Sequence, residues 1–244
     1  MGARKACLFL KGMLFVAVFK DILVHSYPMF ILGLESTLKI FLISVSIGFL
    51  IGLFIALSKL SSLKPVSWLA SGYVNIIRGT PFILQLLFIY TVNGFLFSYL
   101  NETWPTIFAD VDTRELSGII TVALNAGGYF SEIIRGGILS IDKGQGEAAR
   151  SLGFSKKQTM WLVVLPQAIR QLFPSLANQA IISLKDTSLL TTIGIGELMY
   201  QGSLVYSANF QILPTLTILG IIYFIIIYLL TQLFNLIERK VRIP

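Results

Sequence analysis

Few side chains in this sequence can do chemistry, and they fall in three places. Glu132 and Arg135 lie three residues apart within an apolar run, a spacing that lets them pair on a helix. Asn125, Tyr129, Glu132 and Gly136 recur at three- and four-residue steps, so they share one helix face. An ionisable group inside a membrane span is costly and marks a functional position by default. A structural ion pair near the cytoplasmic rim is the competing reading. Lys185 and Asp186 form the second place, adjacent opposite charges at the end of another apolar stretch. They suit a zwitterionic substrate. They equally suit mutual neutralisation or contact with another helix. The third place is residues 140–166, a polar stretch between apolar spans.

Other chemistries lack their residues. No Gly-x-x-x-x-Gly-Lys-Ser/Thr loop occurs; Gly153-Phe154-Ser155-Lys156-Lys157 lacks the second glycine, so no Walker-type ATP site is expected. With one cysteine, Cys7, and one histidine, His25, neither a disulfide nor a transition-metal site is expected. No nucleophile–base pair or carboxylate dyad has a recognisable spacing, so no catalytic residue is expected. The 244 residues are 55% apolar and 13% charged, with a mean hydropathy of +0.79. That is an all-α integral membrane protein of several spans, not a soluble domain. The net charge of +7 is explained by Lys and Arg held in cytoplasmic loops and needs no nucleic acid.

The elements that position these residues follow from the apolar runs. Five membrane-spanning helices are expected. The first covers about Phe30 to Leu57, with Glu35 and Lys39 four apart and able to pair, and with Gly48 and Gly52 allowing close approach of another helix. After the Lys59/Lys64 loop comes a short helix over Val66–Ile77. Arg78-Gly79-Thr80-Pro81 then breaks the chain before a second span from Phe82 to Tyr99. Asn101 to Glu115 is net acidic and belongs outside by the positive-inside rule. The third span runs about Leu116 to Ile138, the fourth from Gln167 to Leu184 with a kink at Pro174, and the fifth from Leu213 to Ile237. Glu238, Arg239, Lys240 and Arg242 put the C-terminus in the cytoplasm.

Between the third and fourth spans, Asp142 caps one short helix and Gly153 stops it. Ser155 opens a second helix with Gln158 at capping-box spacing. Pro166 ends that helix or hands it to the next span. The rise from Pro166 reaches ~28 Å by Lys185, which places Lys185 and Asp186 toward the outer side. Residues 1–28 stand apart as a hydrophobic or amphipathic segment: a signal-like stretch, an interfacial helix or a sixth span. Five spans with the C-terminus inside would leave Lys11 and Lys20 outside, against the positive-inside rule, which favours the extra span.

Glu147-Ala148-Ala149, Gly153 and Val163-Val164-Leu165-Pro166 resemble the "EAA" cytoplasmic loop of ABC importer permeases. Arg78-Gly79-Thr80-Pro81 with Gln85, the Asn125–Ile138 pattern, and Lys185-Asp186-Thr187-Ser188-Leu189 are similar to the polar amino acid uptake branch of that family. The resemblance covers about residues 30–238 and implies the type I importer permease fold over residues 29–244. It implies that residues 140–166 dock into an ATPase subunit, with Glu147, Ala148, Ala149, Gly153, Leu165 and Pro166 carrying the coupling. Two alanines permit close helix approach, and Glu147 can pair with a cation on the partner. Gln85, Asn125, Glu132, Lys185, Asp186 and Glu197 become candidates for the substrate pathway, with Glu197 in a region resembling the outer re-entrant segment. Arg78, Gly79, Thr80, Pro81, Tyr129, Arg135 and Gly136 complete the motifs. Arg78 either snorkels to the membrane surface or braces the coupling loop.

The implied function is import of polar amino acids across the inner membrane by alternating access. The implied partners are ATPase subunits, which bind the ATP and Mg, a periplasmic or lipid-anchored substrate-binding protein, and a second permease copy. Two other readings remain at this point. An ion-coupled secondary transporter would also use Glu132 and Asp186 but leaves the EAA loop without a task. A non-transporting anchor for a cytosolic ATPase would keep the loop and dispense with the intramembrane charges.

Overall fold

A computed structural model describes residues 2–104 and 111–241, with side chains described over 17–104 and 111–240; Asp110 and Arg242, and the Cys7 and Lys11 side chains, lie outside the described residues. Among the described residues every regular element is helical.

Helix α1 runs from Gly2 to Lys59 without a break, through the division expected near residue 28. Pro28 lies inside this helix. Proline removes one helical hydrogen bond, but Ile22 and Phe30 on either side of it are buried in one apolar cluster with Leu198, Val205, Ile218 and Leu219. Packing across the proline holds the helix in one piece. Its apolar portion, Ala17–Lys59, is 43 residues long. At ~1.5 Å per residue it rises ~65 Å, about twice the hydrocarbon thickness of a bilayer.

Helix α2 (Lys64–Gly79) begins with Pro65 in its first turn and buries Ala70, Val74 and Ile77 on one face. Trp68, Leu69 and Ile76 are exposed on the other. Thr80 and Pro81 adopt extended backbone, and α3 (Phe82–Thr103) starts beyond them. The predicted helix–break–helix is therefore present. Asp112 caps α4 (Thr113–Ser140) by accepting from the backbone N–H groups of Arg114 and Glu115.

After α5 (Lys143–Ser151) the chain turns and enters a continuous helical path. It comprises one turn at Lys156–Gln158 (α6), a π-helix at Thr159–Val164, and α7 (Leu165–Asp186). Pro166 is in the first turn of α7, so it hands the preceding segment to that helix and does not end one. Pro174 lies inside α7. A 3-10 turn (Thr187–Ile193) and Gly194, with φ +76°, lead to α8 (Leu198–Asn209), a helix the sequence reading did not separate. The chain ends with α9 (Ile212–Val241).

Three helical stretches among the described residues are long and apolar enough to cross a membrane: Ala17–Lys59, Phe82–Thr103 and Ile212–Lys240. Helices α4 and α7, with 28 and 22 residues, reach ~42 and ~33 Å and are long enough too. Helix α4 is less apolar because it is interior, whereas α7 keeps Arg170, Gln171, Ser175 and Asn178 on an exposed side. Helix α4 buries residues along its whole length, from Ser117 to Ile138. Gly48 and Gly52 of α1 face it as the spacing predicts: a Cβ at Gly48 would stand 2.9 Å from the Ala123 carbonyl oxygen, and one at Gly52 2.6 Å from Phe130 Cβ. Phe41, Ala56, Ala126, Phe130, Leu176 and Leu184 form the core where α1, α4 and α7 meet.

The expected Glu35–Lys39 pair gives way to a different one. Lys39 Nζ lies 2.5 Å from Glu115 Oε1, because α1 packs on α4 and brings the first turn of α4 within reach.

Candidate functional site

The loop between α4 and α7 is built by local rules. Asp142 Oδ1 accepts from the Gly144 N–H at 2.6 Å and starts α5. Gly153 has φ +90°, a left-handed backbone that glycine takes without penalty. Its N–H donates to the Arg150 carbonyl, and the Phe154 N–H reaches back to Ala149, closing the helix. Ser155 and Gln158 form the predicted reciprocal box, with Ser155 N–H donating to Gln158 Oε1 at 2.9 Å and Gln158 N–H to Ser155 Oγ at 3.3 Å. Glu147 and Ala148 are exposed, whereas Ala149 is buried against its own chain. The alanine pair is thus divided between an outward and an inward face. Leu165 is buried and Pro166 exposed.

One carboxylate gathers the cations at one end of the bundle. Glu132 Oε1 accepts from Lys59 Nζ at 2.6 Å, and Glu132 takes a forked bond from Arg135 at 3.3 and 3.2 Å. Arg78 Nη1 stands 3.7 Å from Oε2, and its guanidinium lies over the Tyr129 ring, 5.6 Å from the centroid. The expected Glu132–Arg135 pair is one arm of this cluster. Arg78 does not merely snorkel, since it ties the end of α2 to α4. Lys59, read from the sequence as a loop charge, is the arm that was missed. It is 73 residues from Glu132, and no periodicity links them.

Gln85 closes the break between α2 and α3. Its amide nitrogen donates to the Ile77 carbonyl at 2.7 Å, the Thr80 carbonyl at 3.1 Å and Thr80 Oγ1 at 2.9 Å. Its oxygen accepts from Asn125 Nδ2 at 3.0 Å. Both amides are buried and bonded to each other, so the geometry makes them a clamp between α3 and α4 and does not turn them toward an open path. Gly79 and Gly136 have open space where a side chain would go. Its neighbour Gly137 is crowded, and an added Cβ there would run into Leu172.

At the other end, Lys185 is exposed and Asp186 half-buried. Lys185, Ser188, Met199, Leu219, Tyr223 and Ile227 are among the residues that line an open cavity of about 400 Å³; Asp186 is not in its wall. Glu197, fully buried, does not reach this space. It caps α8, accepting from Met199 N–H at 2.8 Å and Tyr200 N–H at 2.7 Å, and from the Tyr223 hydroxyl at 3.1 Å. It touches the cavity wall through Tyr223 and the Met199 backbone. Ser188 entered the sequence reading only as part of the Lys185–Leu189 motif, and Tyr223 was not singled out, because it lies within the apolar run of the last span. The larger cavity, about 510 Å³ and walled by Phe49, Phe130, Phe173 and Phe234 among other apolar side chains, offers Ser46 as its one hydroxyl and nothing for a charged ligand. No cluster of His, Cys, Asp and Glu suited to a metal occurs among the described residues.

Comparison with known proteins gives these features a family. Residues 48–243 match the model of the binding-protein-dependent transport system inner membrane component. The arginine transport system permease protein of Bacillus subtilis (strain 168) is 34% identical over 216 residues, 88% of this chain and 93% of that protein. The glutamine transport system permease protein of Escherichia coli (strain K12) is 35% identical over 217 residues, 88% of this chain and 94% of that one. Among solved structures, an amino acid ABC transporter crystallised with histidines superposes with a TM-score of 0.76 at 38% identity, covering 89% of this chain and 96% of that chain. An inward-facing methionine ABC transporter shares the fold, with a TM-score of 0.71 at 22% identity over 88% of this chain and 99% of that one. With a capped α5 loop that turns Glu147 outward, a charge cluster on Glu132, and this match over most of its length, the chain belongs to the family of binding-protein-dependent transport system inner membrane components, the permease subunits of ABC importers.

Proposed function

We propose that the chain is the membrane permease of an ATP-driven importer of polar amino acids in the inner membrane, with its C-terminus in the cytoplasm. The observation that carries this reading is the α5 loop. A short helix with Glu147 and Ala148 exposed is held at a fixed angle by Asp142, Gly153 and the Ser155–Gln158 box. Such a rigid, outward-facing helix serves a docking partner. The chain has no phosphate-binding loop, so ATP and Mg belong to that partner.

The ATPase subunits, dimerising on ATP, draw together the α5 helices of two permease copies. The motion passes along the unbroken path from α6 through the π-helix into α7 and reaches Lys185 at its far end. Two states of the bundle, inward and outward, are biased by a ligand held elsewhere. Lys185 offers an amino acid carboxylate one cation, with Tyr223 and the aliphatic wall beside its side chain; the Ser188 hydroxyl, at the rim, donates to the Lys185 carbonyl at 2.7 Å. Substrate arrives from a binding protein on the outer face. An ion-coupled carrier is disfavoured because Glu132 is locked by three cations and would not exchange a proton freely.

The deciding experiment is reconstitution with the ATPase and binding protein, wild type against Glu147→Lys. Amino acid with its binding protein should raise ATP hydrolysis and drive uptake in the wild type, and the charge reversal should abolish both. Uptake that persists without the ATPase and follows a proton or sodium gradient would overturn the reading.

A further inference from the structure

The wall of the outer cavity has a gap in it. On α9, Leu216, Gly220, Tyr223 and Ile227 recur at steps of four, three and four residues, so they lie on one helix face, and all four line the cavity. Gly220 is the gap in that face. A Cβ built there meets nothing within 4 Å, whereas at Gly202, on the neighbouring α8, it would stand 2.3 Å from Leu219 Cδ1. Among the described glycines, positive φ occurs at Gly153 and Gly194 and not at Gly220. Neither packing nor backbone within this chain therefore requires glycine at the position, and glycine inside a helix is less stable than alanine. What the missing side chain leaves is room on the cavity side.

Charge narrows what can use that room. Lys185 is the one charged side chain in the wall. Glu197 is fully buried, and its oxygens are taken by the Met199 and Tyr200 N–H groups and the Tyr223 hydroxyl. Every amino acid brings the same ammonium and carboxylate, so discrimination falls to the side chain. A cationic side chain would meet Lys185 and no counter-charge, and like charges placed together repel. An anionic side chain would compete with the substrate's own carboxylate for the single cation. An uncharged side chain meets neither conflict and lies against Leu216, Tyr223, Ile227 and Met199.

We propose that the outer cavity takes amino acids with uncharged side chains, and that Gly220 sets how long a side chain it accepts. This rests on the reading that substrate occupies the cavity with its carboxylate on Lys185. The permease then screens what the binding protein delivers.

The test is equilibrium binding of radiolabelled alanine, glutamine, methionine, arginine and glutamate to the permease–ATPase complex in nanodiscs. The binding protein is left out, so that only the membrane site selects. Glutamine and methionine should bind the wild type roughly ten-fold more tightly than arginine or glutamate. Gly220→Leu fills the gap and should weaken glutamine and methionine roughly ten-fold while leaving alanine near its wild-type value. Gly220→Glu adds the missing acid and should reverse the order, so that arginine binds more tightly than glutamine. Lys185→Gln should weaken all five alike. If arginine binds the wild type as tightly as glutamine does, or either Gly220 variant binds as the wild type does, the selectivity is overturned while the substrate site stands. If Gly220→Leu separates into single permease copies on size exclusion, Gly220 is a contact between copies and its role in the cavity is overturned. If the wild type binds none of the five, or Lys185→Gln binds them all as the wild type does, substrate does not lie here, and the reading fails together with this inference.

Discussion

Glu132 has more cations around it than one carboxylate can neutralise, and each comes from a different segment: Lys59 from the end of α1, Arg78 from the end of α2 and Arg135 from α4. Glu132→Gln would leave Lys59, only 14% exposed in its side chain, beside two guanidinium groups without a counter-charge. The expected cost is about 1–3 kcal/mol, read as a lowered Tm of the permease in nanodiscs. Lys59→Met should recover part of that loss in the double variant, because it removes the charge that was stranded. Glu197→Ala should cost a further ~1 kcal/mol through the lost cap on α8 and should raise the substrate KM through Tyr223. At this scale the sequence is a partial guide. A charge within an apolar run stands out, so Glu132, Lys185 and Glu197 were visible. Their partners were not, since Lys59 and Tyr223 reach them only through the packing of distant helices. Gln85 and Asn125 were visible as polar residues in spans, but only the fold shows them bonded to each other.

At the scale of elements, local signals carried furthest where the element is exposed. The caps at Asp142 and Ser155 and the stop at Gly153 depend on a few neighbouring residues, and all three appear in the structure as the spacing requires. Gly153 has nothing within 4 Å of an added Cβ, so its constraint is backbone alone. Gly153→Ala is expected to cost about 1–2 kcal/mol for a left-handed alanine and to lower transport coupled to ATP hydrolysis more than hydrolysis itself. Gly52 is the opposite case. Its backbone is ordinary, and the constraint is Phe130 at 2.6 Å. Gly52→Ala should destabilise by about 1–3 kcal/mol through overpacking, whereas Gly136→Ala, with open space at the position, should leave Tm unchanged. The continuity of α1 was not legible. Lys11 and Lys20, with apolar residues between them, set residues 1–28 apart in the sequence, and the burial of Ile22 and Phe30 against α8 and α9 carries the helix past residue 28.

Over the whole molecule, hydropathy sorts the helices by what surrounds them. The strongly apolar α1, α3 and α9 carry exposed Phe54, Phe88, Phe95 and Phe224, the surface a bilayer would cover. Helix α4 is masked from the outside and can afford Asn125, Ser131 and Glu132. The order of spans was therefore legible, and the inner position of α4 only partly so. Topology is directly testable because Cys7 is the single cysteine. In a Cys7→Ser background, Lys240→Cys should react with an impermeant thiol reagent only from the cytoplasmic side and Trp104→Cys only from the outer side.

The π-helix at Thr159–Val164 has one further consequence. A π-turn holds one residue more than an α-turn, and each residue of an α-helix stands for ~100° of rotation and ~1.5 Å of travel. The segment therefore absorbs one residue within a single turn and leaves the helix before and after it nearly in phase. Removing that residue would let the chain close into uniform α-helix, with α5 and every side chain of α7 keeping close to their present bearings. Such a deletion should leave the permease folded, its outer cavity intact and Glu147 aimed at its partner, as a slack link taken from a chain leaves both ends in place; a single deletion inside α7 would instead turn Glu147 by ~100° and uncouple hydrolysis from uptake.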